Sequence, residues 1–271
     1  IENITDAYDE VAAGNGLNDE FAFSKEECEL MEKYLTLADK LHTDLHECLG
    51  HGSGQLLPGV DPNALGEHGS TLEETRADLF ALSYMADKKM LELGIFEHPD
   101  TYKAEYYKYI MNGLMTQNTR IELGKDIEES HMRNRKLISE WAYVNGKADN
   151  VIEYVKRDGK TYIRINDYEK LRELFGKLLA EIQRIKSEGD YAAGKKLVED
   201  YAVRLDRTLH KEILDRYAKL DIAPYKGFVN PVYEAVTDKD GNITDVKISY
   251  KENYIDQMLR YSRDYSPLTK W

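Results

Sequence analysis

Two histidines five residues apart constrain the fold of this chain more than any other feature of its sequence. His46 and His51 are the ends of the segment HECLGH. On a regular α-helix, residues four apart share a face, whereas residues five apart diverge by roughly 140°. Both imidazoles can reach one point only if the helix accommodates an extra residue between them. Gly50 and Gly52 tolerate local unwinding or a π-bulge, so we predict a distorted helical turn here.

The same segment has the composition of a metal centre. Neutral imidazole suits Zn²⁺, and catalytic zinc sites commonly take three protein ligands and leave a fourth position for water. An isolated pair of histidines would more often be ordinary polar residues at a helix end. Here a glutamate follows His46 directly, glycines flank His51, and a pair of carboxylates comes downstream. We therefore predict that His46 and His51 bind one Zn²⁺ per chain.

A third ligand is available in the segment EETRAD. Glu74 and Asp78 are four residues apart, so they share one face of the helix predicted there. One carboxylate can bind the metal while the other accepts the ring N–H that a metal-bound histidine normally donates. We assign Glu74 to the metal and Asp78 to the supporting role. Glu73, on a neighbouring face, is expected to cap the helix or to support the site.

Other candidate ligands are set aside. Glu26 and Glu27 are followed four residues later by apolar side chains, so that helix face turns to the core and lacks a second carboxylate. Cys48 lies two positions from His46, on a different face of the helix. We expect Cys48 to be a small core residue.

The charge and composition of the chain limit its partners. Its 50 acidic residues against 37 basic residues give a formal net charge of −13. This balance disfavours nucleic acid and anionic membranes as partners, because clustered lysine and arginine bind those. No apolar run reaches the length of about 18 residues that suits a membrane span. The two cysteines are too few for a disulfide framework, so we expect a reducing compartment and assign the cytoplasm.

Helical periodicity dominates the chain. Apolar spacing with capping and terminating signals predicts helices at residues 24–45, 70–93, 99–123, 126–143, 168–187, 191–220 and 253–261. The capping-box pattern S-x-x-E opens the first two, at Ser24 and Ser70. Alternating segments around Asp158 and Asp240, each followed by glycine, predict β-hairpins at residues 151–165 and 228–250.

These elements predict a mainly α fold with small β-hairpin insertions. Residues 24–227 are expected to form a helical zinc-binding domain, and a chain of 271 residues can bury a substantial core. Residues 1–23 are expected to be an irregular lead-in. Residues 228–271 are expected to form a terminal hairpin and a short helix.

The two motifs together resemble the paired signature H-E-x-x-G-H and E-E-x-x-A-E/D of the dipeptidyl peptidase III family of zinc metallopeptidases. The resemblance covers residues 24–230, about three quarters of the chain. It implies that His46, His51 and Glu74 bind the zinc. It also implies that Glu47 is the general base and acid of peptide hydrolysis.

The resemblance assigns further roles. Glu73 and Asp78 match the acidic residues that support the ligands. The segment HMRNR is similar to the family's H-x-x-x-R, which makes His131 a residue that stabilises the transition state and Arg135 a support of the site. The chain departs from the family pattern at Thr75, where a cysteine is common, and near residues 230–232, where no arginine is present to contact substrate.

By this resemblance, the chain is the C-terminal, zinc-bearing part of a two-lobed enzyme that releases N-terminal dipeptides from oligopeptides. The family's N-terminal lobe helps to hold the substrate's amino terminus across a cleft, and nothing in this sequence resembles it. We expect residues 1–23 and the region after residue 228 to contact that missing lobe. We also expect these 271 residues alone to bind zinc but to cleave peptides slowly or not at all, because positioning supplies much of the rate.

Two other functions are compatible with the motifs. The chain could be a different zinc hydrolase that uses the same centre on another substrate, in which case it would cleave acetylated peptides as well as free ones. It could also be a non-catalytic, peptide-binding helical module with a structural zinc. A structural zinc would have four protein ligands and no bound water.

Overall fold

The computed structural model describes residues 14–222 and 229–266, and these form two compact units. One unit is residues 16–221, and the described part of the other is residues 14–15, 222 and 229–266. The predicted lead-in up to residue 13 and the predicted boundary at 227 and 228 lie outside the described residues. The mainly α fold with small hairpin insertions is confirmed. No helix in the described ranges has the length and apolar character that crossing a membrane requires.

The helices, in chain order, are α1 (Leu17–Phe21), α2 (Lys25–Leu45), α3 (Gly69–Met85), α4 (Lys89–Glu92), α5 (Thr101–Leu114), α6 (Ser130–Asn145), α7 (Tyr168–Glu188), α8 (Tyr191–Tyr201), α9 (Arg207–Tyr217) and α10 (Tyr254–Tyr265). A π-helical turn, His46–His51, continues α2. Short 3₁₀ turns occupy Gly66–His68, Thr116–Arg120, Lys147–Asp149 and Ala218–Leu220. The strands are β1 (Ile152–Arg157), β2 (Lys160–Ile165), β3 (Val232–Thr237) and β4 (Ile243–Ser249).

The helix α3 lies at the centre of the unit formed by residues 16–221. It packs against α2, the π-helical turn, α6 and α7. Its apolar residues Leu72, Leu79 and Leu82 are buried, and so are the polar residues Arg76 and Asp78. Because buried polar groups need hydrogen-bond partners inside the protein, α3 determines where polar side chains of the neighbouring helices must meet.

Tyrosines join α5 to neighbouring elements. The hydroxyl of Tyr106 donates to the Leu82 carbonyl of α3 at 2.5 Å. The hydroxyl of Tyr107 donates to the Ile163 carbonyl of β2 at 3.0 Å and accepts the Phe23 N–H at 2.8 Å. Both rings are fully buried, so these bonds satisfy hydroxyls that would otherwise be unpaired in the core.

The first predicted hairpin is confirmed. Strands β1 and β2 pair in antiparallel register, with Ile152 opposite Ile165. Asp158 and Gly159 connect them with positive φ angles of 52° and 76°, as a two-residue turn of type I′ requires. Ala22 adds a parallel bridge to Ile163 of β2, so the hairpin joins the segment that precedes α2.

Several helices are shorter than the periodicity predicts. The helix predicted for residues 70–93 ends at Met85, and a separate short helix, α4, begins at Lys89, where Asp87 accepts the Lys89 N–H at 2.9 Å. The helix predicted for residues 191–220 is interrupted after Tyr201, and Asp206 caps α9. The helix predicted for residues 99–123 ends at residue 114, and that predicted for 126–143 begins at residue 130.

The described part of the second unit contains the second predicted hairpin. Strands β3 and β4 pair antiparallel with an irregularity between Val236 and Thr237. Most of their side chains are exposed. Asn253 accepts the Asp256 N–H at 2.9 Å and so begins α10.

Candidate metal centre

A change of helix type accommodates the extra residue between the two histidines. Helix α2 ends at Leu45, and the chain continues directly as the π-helical turn His46–His51. The wider π turn brings residues five apart towards one side. The two imidazole centroids lie 4.6 Å apart, with their planes at 87°. The predicted distortion is therefore present, and it brings the two rings together.

Gly50 lets the π-helical turn lie directly on α3. A Cβ atom at residue 50 would be 2.7 Å from the Cα atom of Ala77. Arg76, which is fully buried, donates from Nη2 to the Gly50 carbonyl at 2.7 Å and from Nη1 to Ser53 Oγ at 3.2 Å. Close backbone packing and a buried guanidinium thus hold the turn against α3.

Three acceptor atoms converge between the turn and α3. The Nε2 atoms of His46 and His51 lie 3.3 Å and 3.7 Å from Oε2 of Glu74. This oxygen is buried, and no described residue makes a hydrogen bond to it. A tetrahedral zinc ion about 2.1 Å from each ligand holds the ligands about 3.4 Å apart, close to the spacing here. The three residues therefore fit a single metal ion in distance and in chemistry.

The other nitrogen of each histidine supports that arrangement. His46 Nδ1 lies 2.6 Å from Asp78 Oδ1, and His51 Nδ1 lies 3.0 Å from Glu73 Oε1. When each Nδ1 donates its proton to a carboxylate, Nε2 of the neutral ring keeps its lone pair. Lone pairs of two nitrogens and one carboxylate oxygen then face one another, which is favourable only around a cation.

Four donors surround Asp78. The imidazoles of His42, at 3.1 Å, and His46 meet Oδ1, while the Tyr109 hydroxyl at 2.6 Å and the Asn134 amide at 2.8 Å donate to Oδ2. Burial would raise the pKa of Asp78, but the hydrogen bonds from the two histidines hold that pKa well below its usual value. The carboxylate therefore stays ionised and keeps the proton of His46 on Nδ1.

Glu73 is held by two cations as well as by His51. Arg76 donates to both of its carboxylate oxygens, at 2.7 Å and 3.1 Å, and Lys186 of α7 contacts Oε2. Burial opposes ionisation, but the bonds from Arg76, Lys186 and His51 lower the pKa of Glu73 to about 2. The capping box predicted at Ser70 is wrong: α3 begins at residue 69, and the Ser70 hydroxyl meets Ser130 Oγ at 3.1 Å.

The middle of the π-helical turn faces solvent. Glu47, which follows His46, is exposed, and so are the two residues after it. The expectation that Cys48 is a core residue is wrong, because residues 47–49 form the outer side of the turn. A carboxylate at Glu47 is accessible to water from this side.

The side chain of His131 approaches the centre from α6. Its Nε2 lies 3.5 Å from Oε2 of Glu74, the same oxygen that faces His46 and His51. Its Nδ1 lies 2.7 Å from Glu129 Oε1, and its side chain is 55% exposed. The structure therefore brings this histidine to the open side of the cluster.

Arg135 lies one helical turn beyond His131 and is half-buried. Its charge is felt by Tyr109, where burial raises the pKa of the phenol and Arg135 opposes that rise. The role of Arg135 as a support of the site stays a prediction.

Sequence reasoning missed Arg76, His42 and Glu105. Arg76 stands inside the EETRAD segment, and His42 lies four residues before His46, so helical spacing is the only signal for either. Burial would lower the pKa of His42, but the hydrogen bond to Asp78 and the Glu105 carboxylate outweigh it and raise this pKa to about 10. His42 is therefore an imidazolium between two buried carboxylates.

Comparison with known proteins identifies relatives of this chain. The model of the family described as peptidase family M49 matches residues 59–216. Dipeptidyl peptidase 3 of Mus musculus and that of Rattus norvegicus are each 25% identical to the chain over 249 residues. Each alignment covers 74% of this chain and 34% of the relative, so the chain spans about a third of the length of these relatives.

Solved structures share the fold. Dipeptidyl peptidase III from Caldithrix abyssi matches with a TM-score of 0.62 and 22% identity over 83% of this chain and 40% of that one. Dipeptidyl-peptidase III from Corallococcus sp. strain EGB matches with a TM-score of 0.59 and 18% identity over 83% of this chain and 39% of that one. Because the sequence identities are this low, these two matches show that the fold is shared and nothing more.

Proposed function

Because the chain belongs to peptidase family M49, the dipeptidyl peptidase III family, we propose that it carries the catalytic centre of a zinc-dependent exopeptidase. The proposed reaction releases dipeptides from the amino ends of oligopeptides. The observation that carries this proposal is the convergence of His46 Nε2, His51 Nε2 and the unpaired Oε2 of Glu74. Two imidazoles and one carboxylate are a common ligand set of catalytic zinc.

The proposed roles of the residues follow from their positions. Bound zinc would supply a Lewis acid that polarises the scissile carbonyl and lowers the pKa of water. Glu47, exposed beside His46, takes the proton of the attacking water and passes it to the leaving amine. His131, on the open side of the cluster, donates to the oxyanion. Such a donor typically contributes about 3–4 kcal/mol to transition-state stabilisation.

The proposal extends to domains and partners. We propose residues 24–227 as the helical catalytic domain, with an oligopeptide as its substrate. By the resemblance to two-lobed enzymes, a second lobe would hold the amino terminus of the peptide across a cleft. The match to about two fifths of a solved dipeptidyl peptidase III supports this arrangement.

Metal binding is the direct test of the centre. The metal-free protein is titrated with Zn²⁺ in competition with a chromophoric chelator, and X-ray absorption is then recorded on the zinc-loaded protein. We expect one Zn²⁺ per chain, with two imidazoles, one carboxylate and one position open to solvent. Four protein ligands would instead identify a structural zinc and contradict the catalytic proposal.

Glu47→Gln separates catalysis from metal binding. We expect the variant to bind Zn²⁺ as tightly as the wild type, because residue 47 is not a ligand. In a protein that carries both lobes, we expect its hydrolysis of a dipeptidyl arylamide to fall by about 10²–10⁴-fold, because the general base is lost. The matched control, Glu128→Gln, replaces another exposed glutamate and should leave both properties unchanged.

The arylamide assay also tests the reaction type. Equal cleavage of amino-terminally acetylated and free peptides would contradict dipeptide release and favour another zinc hydrolase. A rate for Glu47→Gln equal to that of the wild type would remove the assignment of the base.

A further inference from the structure

A buried histidine, His42, lies behind the proposed centre. His42 precedes His46 by one turn of α2 and is 8% exposed. Its Nε2 lies 3.1 Å from Asp78 Oδ1, the oxygen that also meets His46 Nδ1 at 2.6 Å. One carboxylate oxygen thus receives a donor from each of two histidines on the same helix face.

Glu105 of α5 and the ring of Tyr109 hold His42 in place. His42 Nδ1 lies 3.0 Å from Glu105 Oε1, an ion-pair distance whose angle departs from that of a hydrogen bond. The imidazole also stacks on the Tyr109 ring, with centroids 5.6 Å apart and planes at 16°. The carboxylate of Glu105 is itself buried, so the pair is screened from solvent.

The hydrogen bonds of Asp78 indicate that His42 orients the carboxylate, and that the carboxylate in turn orients His46. Tyr109 and Asn134 hold Oδ2 of Asp78, but within the described residues Oδ1 has only His42 besides His46. Without a second donor on Oδ1, the carboxylate could turn with the imidazole of His46 instead of fixing it. A ligand imidazole that can rotate loses part of its preorganisation for the metal.

We propose that His42, held by Glu105, is a positioning residue for the metal centre. It fixes Oδ1 of Asp78, and Asp78 in turn aims Nε2 of His46 at Oε2 of Glu74. This inference rests on the proposed zinc site. It adds His42 of α2 and Glu105 of α5 to the buried residues that support His46.

The test measures the Zn²⁺ affinity of the whole chain by chelator competition, with Zn²⁺ alone as the probe. His42→Leu removes the donor to Asp78, and we expect Zn²⁺ affinity to fall about tenfold, as for other outer-layer partners of metal ligands. His42→Gln combined with Glu105→Gln keeps an amide donor to Asp78 without the charges. We expect this double variant to retain most of the affinity.

Two further variants distinguish a loss of Zn²⁺ affinity from a general loss of stability. His210→Gln replaces another buried histidine, whose Nε2 contacts the Asn118 and Ile121 carbonyls. It should lower the unfolding temperature without changing Zn²⁺ affinity. If His42→Leu does not fold, His42→Asn replaces it, because the shorter amide does not reach Asp78.

The outcomes are distinct. Failure of the wild type to bind Zn²⁺ would overturn the proposed centre and this inference together. Wild-type affinity in a folded His42→Leu or His42→Asn variant would overturn only the positioning role. Equal losses in His42→Leu and in the double amide variant would also overturn it, because a donor to Asp78 would then be irrelevant.

Discussion

Gly50 lies where the π-helical turn and α3 come closest. The space available for a side chain there is filled by the backbone and Cβ of Ala77, each 2.7 Å from the position of a new Cβ. A backbone atom cannot move aside as the end of a flexible side chain can. The turn would have to shift away from α3, and the imidazole of His51 would move with it.

Gly50→Ala should therefore weaken both folding and metal binding. We expect the free energy of unfolding to fall by about 1–3 kcal/mol, as for overpacked cores, and Zn²⁺ affinity to fall with it. The matched control is Gly176→Ala in α7, where a Cβ meets nothing within 4 Å. That change should raise the free energy of unfolding by about 0.5–1 kcal/mol, because alanine is the better helix former. Urea unfolding and a Zn²⁺ titration of both variants measure these quantities. A Gly50→Ala variant with the stability and Zn²⁺ affinity of the wild type would contradict the packing argument.

At the scale of elements, Arg76 connects α3 to the π-helical turn. Its guanidinium reaches the Gly50 carbonyl, the Ser53 hydroxyl and both oxygens of Glu73. Only a planar fork with several donors can serve these acceptors at once. Glu73, which contacts His51, and Gly50, inside the turn, are thus held by the same side chain.

Arg76→Lys tests this connection while keeping the charge. One ammonium cannot replace donors on two sides, so we expect a loss of about 2 kcal/mol in unfolding free energy. We also expect weaker Zn²⁺ binding, because Glu73 is less firmly placed against His51. Arg184→Lys, at an exposed cluster of ion pairs on α7, is the matched control and should change neither quantity, since exposed pairs contribute little. Retained affinity in Arg76→Lys would show that the fork is not needed.

At the scale of the whole molecule, Arg216 and Glu20 join the two ends of the unit formed by residues 16–221. They are 196 residues apart, and Arg216 Nε lies 2.7 Å from Glu20 Oε1. Arg216 also donates to the Thr161 carbonyl of β2 at 2.6 Å. Burial would raise the pKa of Glu20, but hydrogen bonds from Lys160 and Arg216 outweigh it and lower this pKa below 4.5.

Glu20→Gln should consequently show a pH-dependent loss of stability. A carboxylate with a depressed pKa in the folded state stabilises above its unfolded pKa, and that contribution is lost as the pH falls through the folded value. We expect a deficit of about 2 kcal/mol at neutral pH, where the charged bonds are intact. The deficit should shrink below pH 4.5. Urea unfolding of wild type and variant at several pH values measures this deficit. Glu29→Gln, at an exposed glutamate, is the control and should leave the pH dependence of stability unchanged. A deficit in Glu20→Gln that stays constant with pH would contradict the charged pairing of Glu20.

Much of the fold could be predicted because its signals are local. Helical spacing predicts α2 and α7 to within a few residues, and Asp158-Gly159 predicts the first hairpin. The errors fall where one predicted helix is divided into two, as between α3 and α4 and between α8 and α9, where Asp206 caps the second helix. Periodicity does not reveal such breaks, since the apolar pattern continues through them.

For the candidate site, the sequence by itself determined which side chains could converge. The five-residue spacing of His46 and His51 required a wider turn, and the four-residue spacing of Glu74 and Asp78 placed two carboxylates on one helix face. These are properties of neighbouring residues on one helix. These spacing relationships do not depend on which element packs against the helix.

Only the tertiary structure decided how those side chains are held. His42 meets Asp78 across 36 residues, and Lys186 meets Glu73 across 113. Such contacts depend on how α2, α3, α5 and α7 pack, because a buried polar group takes whichever partner the packing brings within hydrogen-bond distance. The spacing of residues along the chain does not predict which distant side chains will meet. The hydrogen bonds that support the metal ligands could therefore be identified only from the tertiary structure.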